Sequence, residues 1–377
     1  MTKPIDEKIR FVIGCMTGTS IDGLDASMIR IDGCGLDMRI SVVDSQSFEL
    51  PNDLQDKLRA CAAQAKMSAG EFGTLSLQFG EFHATCLNNF AKQFDRVDLV
   101  SVHGQTVFHD PPVSKQLINV HPIACELVSP VVFDLRGADL AAGGQGAPIT
   151  PIVDAMLFAD IEESVAIVNL GGFANYTRLP HIDRANLASE LHKVEAGDIC
   201  VCNQLLDRAA RELLGEPIDR EGAIAARGTV CEEAAEELTN FLHLQSTSQR
   251  SLGTGDEYSD WMERWRNRLG VDDLLRTICH SIGLTIRMKV ASVDRIFCAG
   301  GGVKNKVLLA DVRGSLIEHE SKVNSSNREA VAMAVLGALC QDGVPITFPH
   351  VTGLKYGCAA PIAGAWVYPP NRKCLEV

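Results

Sequence analysis

Residues 10–32 read RFVIGCMTGTSIDGLDASMIRID, and this stretch decides the fold. An apolar run is followed by turn-forming residues at 17–23 and then by a partly alternating run, a pattern that predicts a β-hairpin. The tip of this hairpin is unusually polar and carries the glycines Gly18 and Gly23. Because glycine lets backbone N–H groups approach an anion closely, the tip is a candidate phosphate site.

Two more glycine turns follow apolar strands further along the chain. Gly171–Gly172 come after SVAIVNL, and Gly300–Gly302 come after DRIFCA. One such turn usually only reverses the chain, whereas three of them favour binding of nucleotide phosphates. The sequence has neither G-x-x-x-x-G-K-[ST] nor a G-x-G-x-x-G that opens a helix in a first βαβ unit, which argues against the P-loop and Rossmann folds.

Length and charge limit the class of protein. A chain of 377 residues exceeds what one hydrophobic core usually serves, so we expect two domains and a cleft between them. The net charge of −13 argues against a broad surface for nucleic acid or an anionic membrane. No stretch reaches membrane-spanning length, and the first residues lack the apolar core of a secretory signal. We therefore expect a cytoplasmic protein with a small-molecule partner, and a homodimer stays open.

The cysteines predict reduced thiols rather than disulfides. Thirteen of them are scattered from Cys15 to Cys374 in a chain large enough to fold without covalent links. Cys200 and Cys202 form a C-x-C pair, but no second Cys/His pair at zinc-site spacing lies nearby. A metal or redox role for this pair is the weaker alternative.

The rest of the pattern predicts an α/β chain. Strands are expected over 38–49, 97–102 and 164–170, and helices from Leu54, over 70–94, 203–214, 230–243, 271–289 and 327–342. The polar segment 246–262 is a candidate mobile loop or lid edge.

The hairpin motif resembles the opening of one enzyme family. Residues 14–25, GCMTGTSIDGLD, are similar to the G-x-M-S-G-T-S-x-D-G-x-D opening of anhydro-N-acetylmuramic acid kinases. Other segments resemble family segments in the same order: HGQT at 103–106, DLR at 134–136, GGQGAP at 143–148, NLGGFAN at 169–175, GGG at 300–302 with Asn305, and Glu329-Ala330. The resemblance spans most of residues 11–353. It implies an α/β, two-lobed actin-like ATPase fold (ribonuclease H-like) with an interlobe cleft.

The resemblance also implies a division of labour between the lobes. Residues 1–137 would form an N-terminal lobe with the first phosphate hairpin and part of the sugar site. Residues 138–377 would form a C-terminal lobe with the second phosphate loop, the catalytic Asp and the nucleotide site, and a return of the extreme C-terminus to the first lobe stays open. We expect the lobes to hinge close to residues 134–146 and to close on substrate, because water must be excluded from phosphoryl transfer.

The implied activity is that of an ATP-dependent kinase that opens a 1,6-anhydrosugar with water and phosphorylates the released O6. The first expectation for the substrate is 1,6-anhydro-N-acetylmuramic acid, converted to N-acetylmuramic acid 6-phosphate in cell-wall sugar recycling. Mg²⁺ is expected to bridge the phosphates of ATP. Two alternatives stay open: a kinase for another anhydrosugar such as levoglucosan, or a catalytically silent relative that binds nucleotide or sugar.

The segment of the catalytic base departs from the family pattern. The family reads approximately F-D-T-G-P-G-N, whereas residues 197–203 read GDICVCN. Anchoring on Asn203 puts Asp198 at the carboxylate, just before the predicted helix, and Glu195 is the alternative base. Because Val and Cys restrict the backbone and project side chains where the family has Gly-Pro-Gly, residues 200–202 predict an altered sugar pocket.

The resemblance assigns further roles residue by residue. The nucleotide contacts are expected to be Gly18, Thr19, Ser20, Asp22, Gly23, Asp25, Gly171, Gly172, Asn175, Gly300, Gly301, Gly302, Asn305 and Glu329. The sugar contacts are expected to be His103, Gln105, Asp134, Arg136 and Asn203. Asp22 is also expected to contact the metal through water, and the turn at 300–302 is expected on the adenine or ribose side. A second departure places Asp256 where the family has Arg.

Several of these residues have structural alternatives. Asp22 could close the hairpin tip, His103 could be a structural histidine, Asp134 and Arg136 could form an ion pair, and Glu329 could serve the start of a helix.

Overall fold

The computed structural model describes residues 9–18, 21–247, 252, 256, 260–317, 319, 322–354 and 359–370. The described chain divides into two compact units. The first unit takes the residues up to Val153 and those from Asn327 onward, and the second takes nearly all residues between them. The predicted boundary lay at 137/138, with a return of the extreme C-terminus to the first lobe left open, whereas residues 138–153 and those from Asn327 onward fall in the first unit. The segment 134–146, where the hinge is predicted, lies wholly inside the first unit.

The first part of the chain forms a sheet with two long helices and a small hairpin. Its elements are β1 (Ile9–Thr17), β2 (Gly23–Asp32), β3 (Arg39–Glu49), α1 (Asn52–Ala62), α2 (Ala69–Ala91), β4 (Leu99–Val102), β5 (Gln105–Asp110), β6 (Val113–Leu117), α3 (His121–Leu127), β7 (Val131–Phe133), α4 (Gly137–Ala141) and α5 (Pro151–Phe158). Helix α2 begins with a capping box in which Ser68 and Glu71 bond to each other's backbone N–H.

The middle of the chain forms the second unit. Its elements are β8 (Val165–Leu170), β9 (Phe173–Leu179), α6 (Leu187–Glu190), β10 (Glu195–Val201), α7 (Asn203–Leu214), α8 (Glu232–Ser246), α9 (Asp260–Trp265), α10 (Val271–Lys289), β11 (Arg295–Ala299), α11 (Lys306–Val312) and β12 (Ser315–Leu316). The chain then returns to the first unit with α12 (Arg328–Gln341), α13 (Pro349–Thr352) and β13 (Ala365–Val367).

The two units repeat one sheet topology. In the first, β1 pairs antiparallel with β2 and parallel with β4, β3 extends the β2 side, and β7 extends the β4 side. In the second, β8, β9, β10, β11 and β12 take the same positions and directions in that order. This duplicated order of 3-2-1-4-5, in which only the second of the five strands is antiparallel to its neighbours, is the ribonuclease H-like arrangement. In the first sheet, β13 adds an antiparallel edge strand beside β7. The fold class predicted from the sequence is therefore confirmed.

Most predicted elements agree with the observed ones. Helices α7 and α10 have the predicted bounds, and α12 differs from its prediction by one residue at each end. The predicted polar loop at 246–262 is too long at both ends, because Ser246 closes α8 and α9 begins at Asp260, and most residues between them lie outside the described ranges. Trp261 and Met262 are fully buried there, and their apolar burial explains why this end is helical. No helix in the described ranges is long and apolar enough to cross a membrane.

Helix α12 belongs to the first unit because small residues let it lie directly on the sheet. A Cβ at Gly14 of β1 would lie 2.1 Å from the Ala330 oxygen and 2.2 Å from the Ala334 nitrogen of α12. A Cβ at Gly337 would lie 2.5 Å from the Cβ of Ser101 in β4. The first glycine of the hairpin motif therefore serves helix packing.

We expect Gly14→Ala to lower the free energy of unfolding by about 1–3 kcal/mol, because the methyl group must displace the backbone of α12. The matched control is Gly73→Ala in the exposed part of α2, where a Cβ meets nothing within 4 Å. That change should be neutral or stabilise by up to about 1 kcal/mol. Urea denaturation of both variants measures the difference, and equal midpoints would contradict the packing role of Gly14.

Candidate functional site

Hydrogen bonds hold the described residues at the tip of the β1–β2 hairpin. Ile21 has φ of 52° and donates its N–H to the Gly18 oxygen at 3.1 Å, while its side chain is buried. Leu50 donates its N–H to the Asp22 oxygen at 3.3 Å, and the Gln55 amide donates to the Ile21 oxygen at 2.6 Å. The Asp22 residue itself is exposed at the tip. These hydrogen bonds fix the backbone on both sides of Asp22, an exposed residue at the tip.

The other predicted residues of the hairpin differ in their surroundings. Gly23 is required by space, because a Cβ there would lie 2.7 Å from the Phe48 oxygen. Asp25 lies on β2 and accepts a hydrogen bond from the hydroxyl of Ser47, its neighbour on β3. Thr19 and Ser20 lie outside the described residues.

His103, which is buried, and Arg136, which is half-buried, form a polar pair in the first unit. Arg136 donates from Nε to His103 Nε2 at 2.9 Å and from Nη1 to the Gly146 oxygen at 2.7 Å. Since His103 Nε2 accepts, its proton lies on Nδ1, which donates to the Gly104 oxygen at 3.1 Å. Burial and then the nearby Arg136 charge lower the pKa of His103 to about 3. His103 is therefore a neutral acceptor that orients the Arg136 guanidinium.

The glycine-rich segment beside this pair is anchored by Asp139. This side chain is 1% exposed, accepts the Gly146 N–H at 2.8 Å and accepts the Thr352 hydroxyl at 2.9 Å. Asp134, with φ of 53°, accepts the Gly137 N–H at 3.0 Å and so holds the start of α4. The structure thus brings Arg136 and His103 together and gives Asp134 a contact with the helix.

Two buried polar atoms of the β5–β6 hairpin have no hydrogen-bond partner among the described residues. They are Gln105 Oε1, in a side chain that is 1% exposed overall, and His109 Nε2. The other ring nitrogen of His109 lies 2.8 Å from the Ser114 hydroxyl. Burial and then the Arg136 charge lower the pKa of His109 to about 4. A buried polar atom without a partner costs free energy, so both are suited to meet a polar ligand.

In the second unit, the predicted glycine turns and Asn203 lie together. Asn203 opens α7 and donates its side-chain amide to the Leu170 oxygen at 2.9 Å, while its N–H donates to the Gly171 oxygen at 3.0 Å. A Cβ at Gly302 would lie 2.7 Å from the Leu170 Cβ and 2.8 Å from Asn203 Oδ1. Gly300, at φ of 83°, turns the chain from β11 into a short 3-10 helix. Asn203 therefore lies against both glycine turns, Gly171–Gly172 and Gly300–Gly302.

Asp198 lies within a cross-strand row of polar residues. It pairs in register with Asn175 of β9, which in turn pairs with Asn169 of β8. Residues opposite one another in adjacent strands share a face of the sheet, so one carboxylate and two amides line one face beside the Gly171–Gly172 turn. Asp198 Oδ2 also accepts the Leu252 N–H at 2.6 Å.

A model of the anhydro-N-acetylmuramic acid kinase family matches residues 10–368 of this chain. The chain belongs to this family. Curated relatives of the same name include those from Picosynechococcus sp., 33% identical over 91% of this chain and 96% of the relative, and Salinibacter ruber, 30% identical over 91% and 93%. A ROK family glucokinase structure from Streptomyces griseus covers 87% of this chain and 99% of its own at 14% identity, with a TM-score of 0.37.

The residues that stand in place of the family's Gly-Pro-Gly are buried in the apolar core. Cys200, Val201 and Cys202 are each 0% exposed and belong to the apolar core of the second unit. Burial raises the pKa of Cys200 and Cys202 far above the ordinary thiol value. The cysteines of the described ranges are free thiols, and these ranges hold no group of three or more metal-ligating side chains.

The surroundings of Asp198 correct one part of the prediction. It lies inside β10, three residues before the strand ends, and the residue that caps α7 is Cys202. Asp198 is therefore a strand residue and does not directly precede the helix as predicted. Strand β10 extends to Val201 because Cys200 and Val201 pair with Ala174 and Phe173 of β9.

Two of the residues predicted to contact the nucleotide, Asn305 and Glu329, lie at the starts of helices. Asn305 caps α11, with Oδ1 accepting the Val307 N–H at 3.1 Å and the Leu308 N–H at 3.0 Å. Glu329 lies in the first turn of α12 and therefore belongs to the first unit, whereas the prediction grouped it with the C-terminal lobe.

The sequence reasoning missed His109 and the neighbours of Asp198. His109 follows His103 by six residues in HGQTVFH, and its place near the end of β5 was a readable signal. Leu252, whose N–H reaches Asp198, gives no such signal, because a backbone donor is available at any residue except proline.

Buried histidines make the first unit sensitive to acid. Burial lowers the pKa of His83 to about 4, and its Nδ1 lies 2.8 Å from the Phe79 oxygen. Since the unfolded chain takes up this proton near pH 6.5 and the folded chain does not, stability is lost as pH falls from about 6.5 to about 4. His103 extends the loss toward pH 3. Each contributes up to about 1.4 kcal/mol per pH unit.

We expect His83→Leu to reduce the fall in unfolding free energy between pH 7 and pH 5, because one such proton uptake is removed. Phe82→Leu on the same helix is the control, since it alters packing at every pH without removing a titrating group. Urea titrations at several pH values measure the slope. An unchanged slope in His83→Leu would contradict the assignment.

Proposed function

We propose that this protein is an ATP-dependent kinase that opens the anhydro bridge of 1,6-anhydro-N-acetylmuramic acid and phosphorylates O6. The observation that carries the proposal is the family match across residues 10–368, which includes the glycine turns and Asp198. The reaction yields N-acetylmuramic acid 6-phosphate and ADP. Because it consumes ATP, we place the enzyme in the cytoplasm, in cell-wall sugar recycling.

Asp198 is the proposed general base. Its carboxylate takes a proton from water, the water oxygen bonds to C1 of the sugar, and the bond between C1 and O6 breaks. O6 then bonds to the γ-phosphorus of ATP as the bond to the β,γ-bridging oxygen breaks and ADP leaves. The fixed position of Oδ2 against the Leu252 N–H supports this role, because a base must be held in hydrogen-bond reach of its water.

The leading candidates for the sugar contacts lie in the first unit. Arg136, oriented by His103, supplies a positive charge that suits the carboxylate of a muramic acid. Gln105 Oε1 is an acceptor suited to a sugar hydroxyl or amide N–H, and His109 Nε2 is a second polar atom available to the same ligand. Asp134 and Asn203 already hold the starts of α4 and α7, and we keep them as secondary candidates.

The proposed nucleotide contacts follow the glycine turns of each unit. Gly18–Gly23 would serve phosphates in the first unit, and Gly171–Gly172 in the second, with Gly300–Gly302 on the adenosine side. Mg²⁺ prefers hard oxygen donors and keeps several waters, which fits the exposed carboxylate of Asp22 as a contact through water. When bound, Mg²⁺ would neutralise charge on the phosphates of ATP.

The test is ADP release with ATP, Mg²⁺ and a panel of sugars. We expect turnover with 1,6-anhydro-N-acetylmuramic acid to exceed that with levoglucosan, with the product identified as the 6-phosphate by mass spectrometry. Faster turnover of levoglucosan would show that 1,6-anhydro-N-acetylmuramic acid is not the preferred substrate. Measurable ATP binding without turnover of any sugar would contradict the proposed kinase activity. It would favour a catalytically silent relative that binds nucleotide or sugar.

A further inference from the structure

One buried amide joins the strand that carries Asp198 to the segment that contacts it. Gln245, near the end of α8, is 8% exposed. Its Oε1 accepts the Val201 N–H at 3.0 Å, and its Nε2 donates to the Asp256 oxygen at 2.7 Å. Val201 lies on β10 with Asp198, and Asp256 lies four residues after Leu252, whose N–H reaches Asp198 Oδ2 at 2.6 Å.

The strand needs such support at this point. The pairing of β10 with β9 shifts register between Asp198 and Cys200, so the ladder is interrupted immediately after the proposed base. A bulge leaves a residue unpaired and lets the strand bend, which makes the direction of Asp198 depend on contacts beyond the ladder. Gln245 supplies one such contact from outside the sheet.

The chemistry requires an amide at this position. Gln245 uses one acceptor and one donor at once, toward Val201 and Asp256. Glutamate retains the acceptor and, when ionised, turns a second oxygen toward the Asp256 carbonyl. Methionine retains the length and loses both bonds.

We propose that Gln245 is a positioning residue for Asp198, acting through β10 and through the segment that carries Leu252. This inference rests on the proposed function, in which Asp198 is the general base. Gln245 touches neither substrate nor nucleotide in this role. It fixes the direction of the carboxylate, so its loss should lower kcat and leave substrate binding nearly unchanged.

The first test compares three variants by steady-state ADP release. We expect Gln245→Glu and Gln245→Met to lower kcat by about 10- to 100-fold while KM for ATP and for the sugar stays within about twofold. The control is Thr239→Val on the same helix, whose buried hydroxyl has no partner in the described part of the chain. It should leave both constants unchanged. A rise in KM with kcat unchanged in the Gln245 variants would overturn the proposal.

The second test separates a positioning role from general damage. In the Asp198→Asn background, Gln245→Glu should cause almost no further loss of kcat, because there is no base left to position. If Gln245→Glu reduces kcat by the same factor in both backgrounds, the proposal is overturned and Gln245 has a structural role alone. If Asp198→Asn loses turnover while Gln245→Glu keeps it, only this inference fails. If Asp198→Asn keeps turnover, the proposed base fails and this inference with it.

Discussion

Replacing Asp198 by Asn is expected to lower kcat by about 10²–10⁴-fold, the usual contribution of general-base catalysis. Asparagine keeps the shape of the side chain and can still accept the Leu252 N–H through its oxygen. It cannot take a proton from water. KM for ATP and for the sugar should therefore stay nearly unchanged, and steady-state ADP release measures both constants.

The matched control is Glu195→Gln on the same strand. Side chains alternate across a strand, so carboxylates three residues apart lie on opposite faces of the sheet. Glu195 pairs in register with Arg178 and lies 3.3 Å from its guanidinium, whereas Asp198 pairs with Asn175. Only one of the two faces can carry the base. Near wild-type turnover in Asp198→Asn, with loss in Glu195→Gln, would show that the alignment through residues 200–202 is wrong.

The main strands and the glycine turns after them could be predicted because their signals are local. The apolar runs of β1, β2 and β8 and the glycine turns after them are readable in the sequence without knowledge of distant contacts. The predicted bounds of α7 and α10 were correct for the same reason, since an amphipathic helical period needs only its own residues.

The membership of α12 in the first unit could not be predicted. Its reason is close approach between Gly14 and the backbone of Ala330 and Ala334, more than 300 residues away in sequence. A glycine in a phosphate-like motif carries no mark that distinguishes helix packing from anion binding. The same limit applies to Asn305, whose side chain caps α11 although its place after three glycines suggested a nucleotide contact.

In the candidate site, too, some residues could be predicted from the sequence and others could not. Motif residues such as Asp198 and Gln105 were predicted by type and order, and the structure adds their neighbours. Gln245 could not be found from sequence, since its role depends on hydrogen bonds to Val201 and Asp256 that span 44 and 11 residues. Residues that orient others have no motif of their own, because their partners are often backbone atoms.

Replacing Asp342 by Ala is expected to lower the free energy of unfolding by about 3–5 kcal/mol, because it leaves a buried guanidinium without its counter-charge. Arg10 of β1 and Asp342 are 3% and 8% exposed, and two parallel bonds of 2.8 and 2.7 Å join them. Asp342 Oδ2 also accepts the Gly35 N–H at 2.9 Å. The pair thus ties the end of α12 to the first hairpin.

The helix dipole works against Asp342 and is too small to reverse this result. A negative charge at the end of α12 is unfavourable by about 0.3–1 kcal/mol, so its removal would offset only a fraction of the loss. The control is Asp53→Ala in the exposed i,i+4 pair with Lys57, which should cost about 0.5 kcal/mol or less. Replacing Arg10 by Met together with Asp342 by Leu should cost less than Asp342→Ala alone, since no unpaired charge stays buried. Urea denaturation measures all three variants, and equal losses in Asp342→Ala and Asp53→Ala would contradict a buried, desolvated pair.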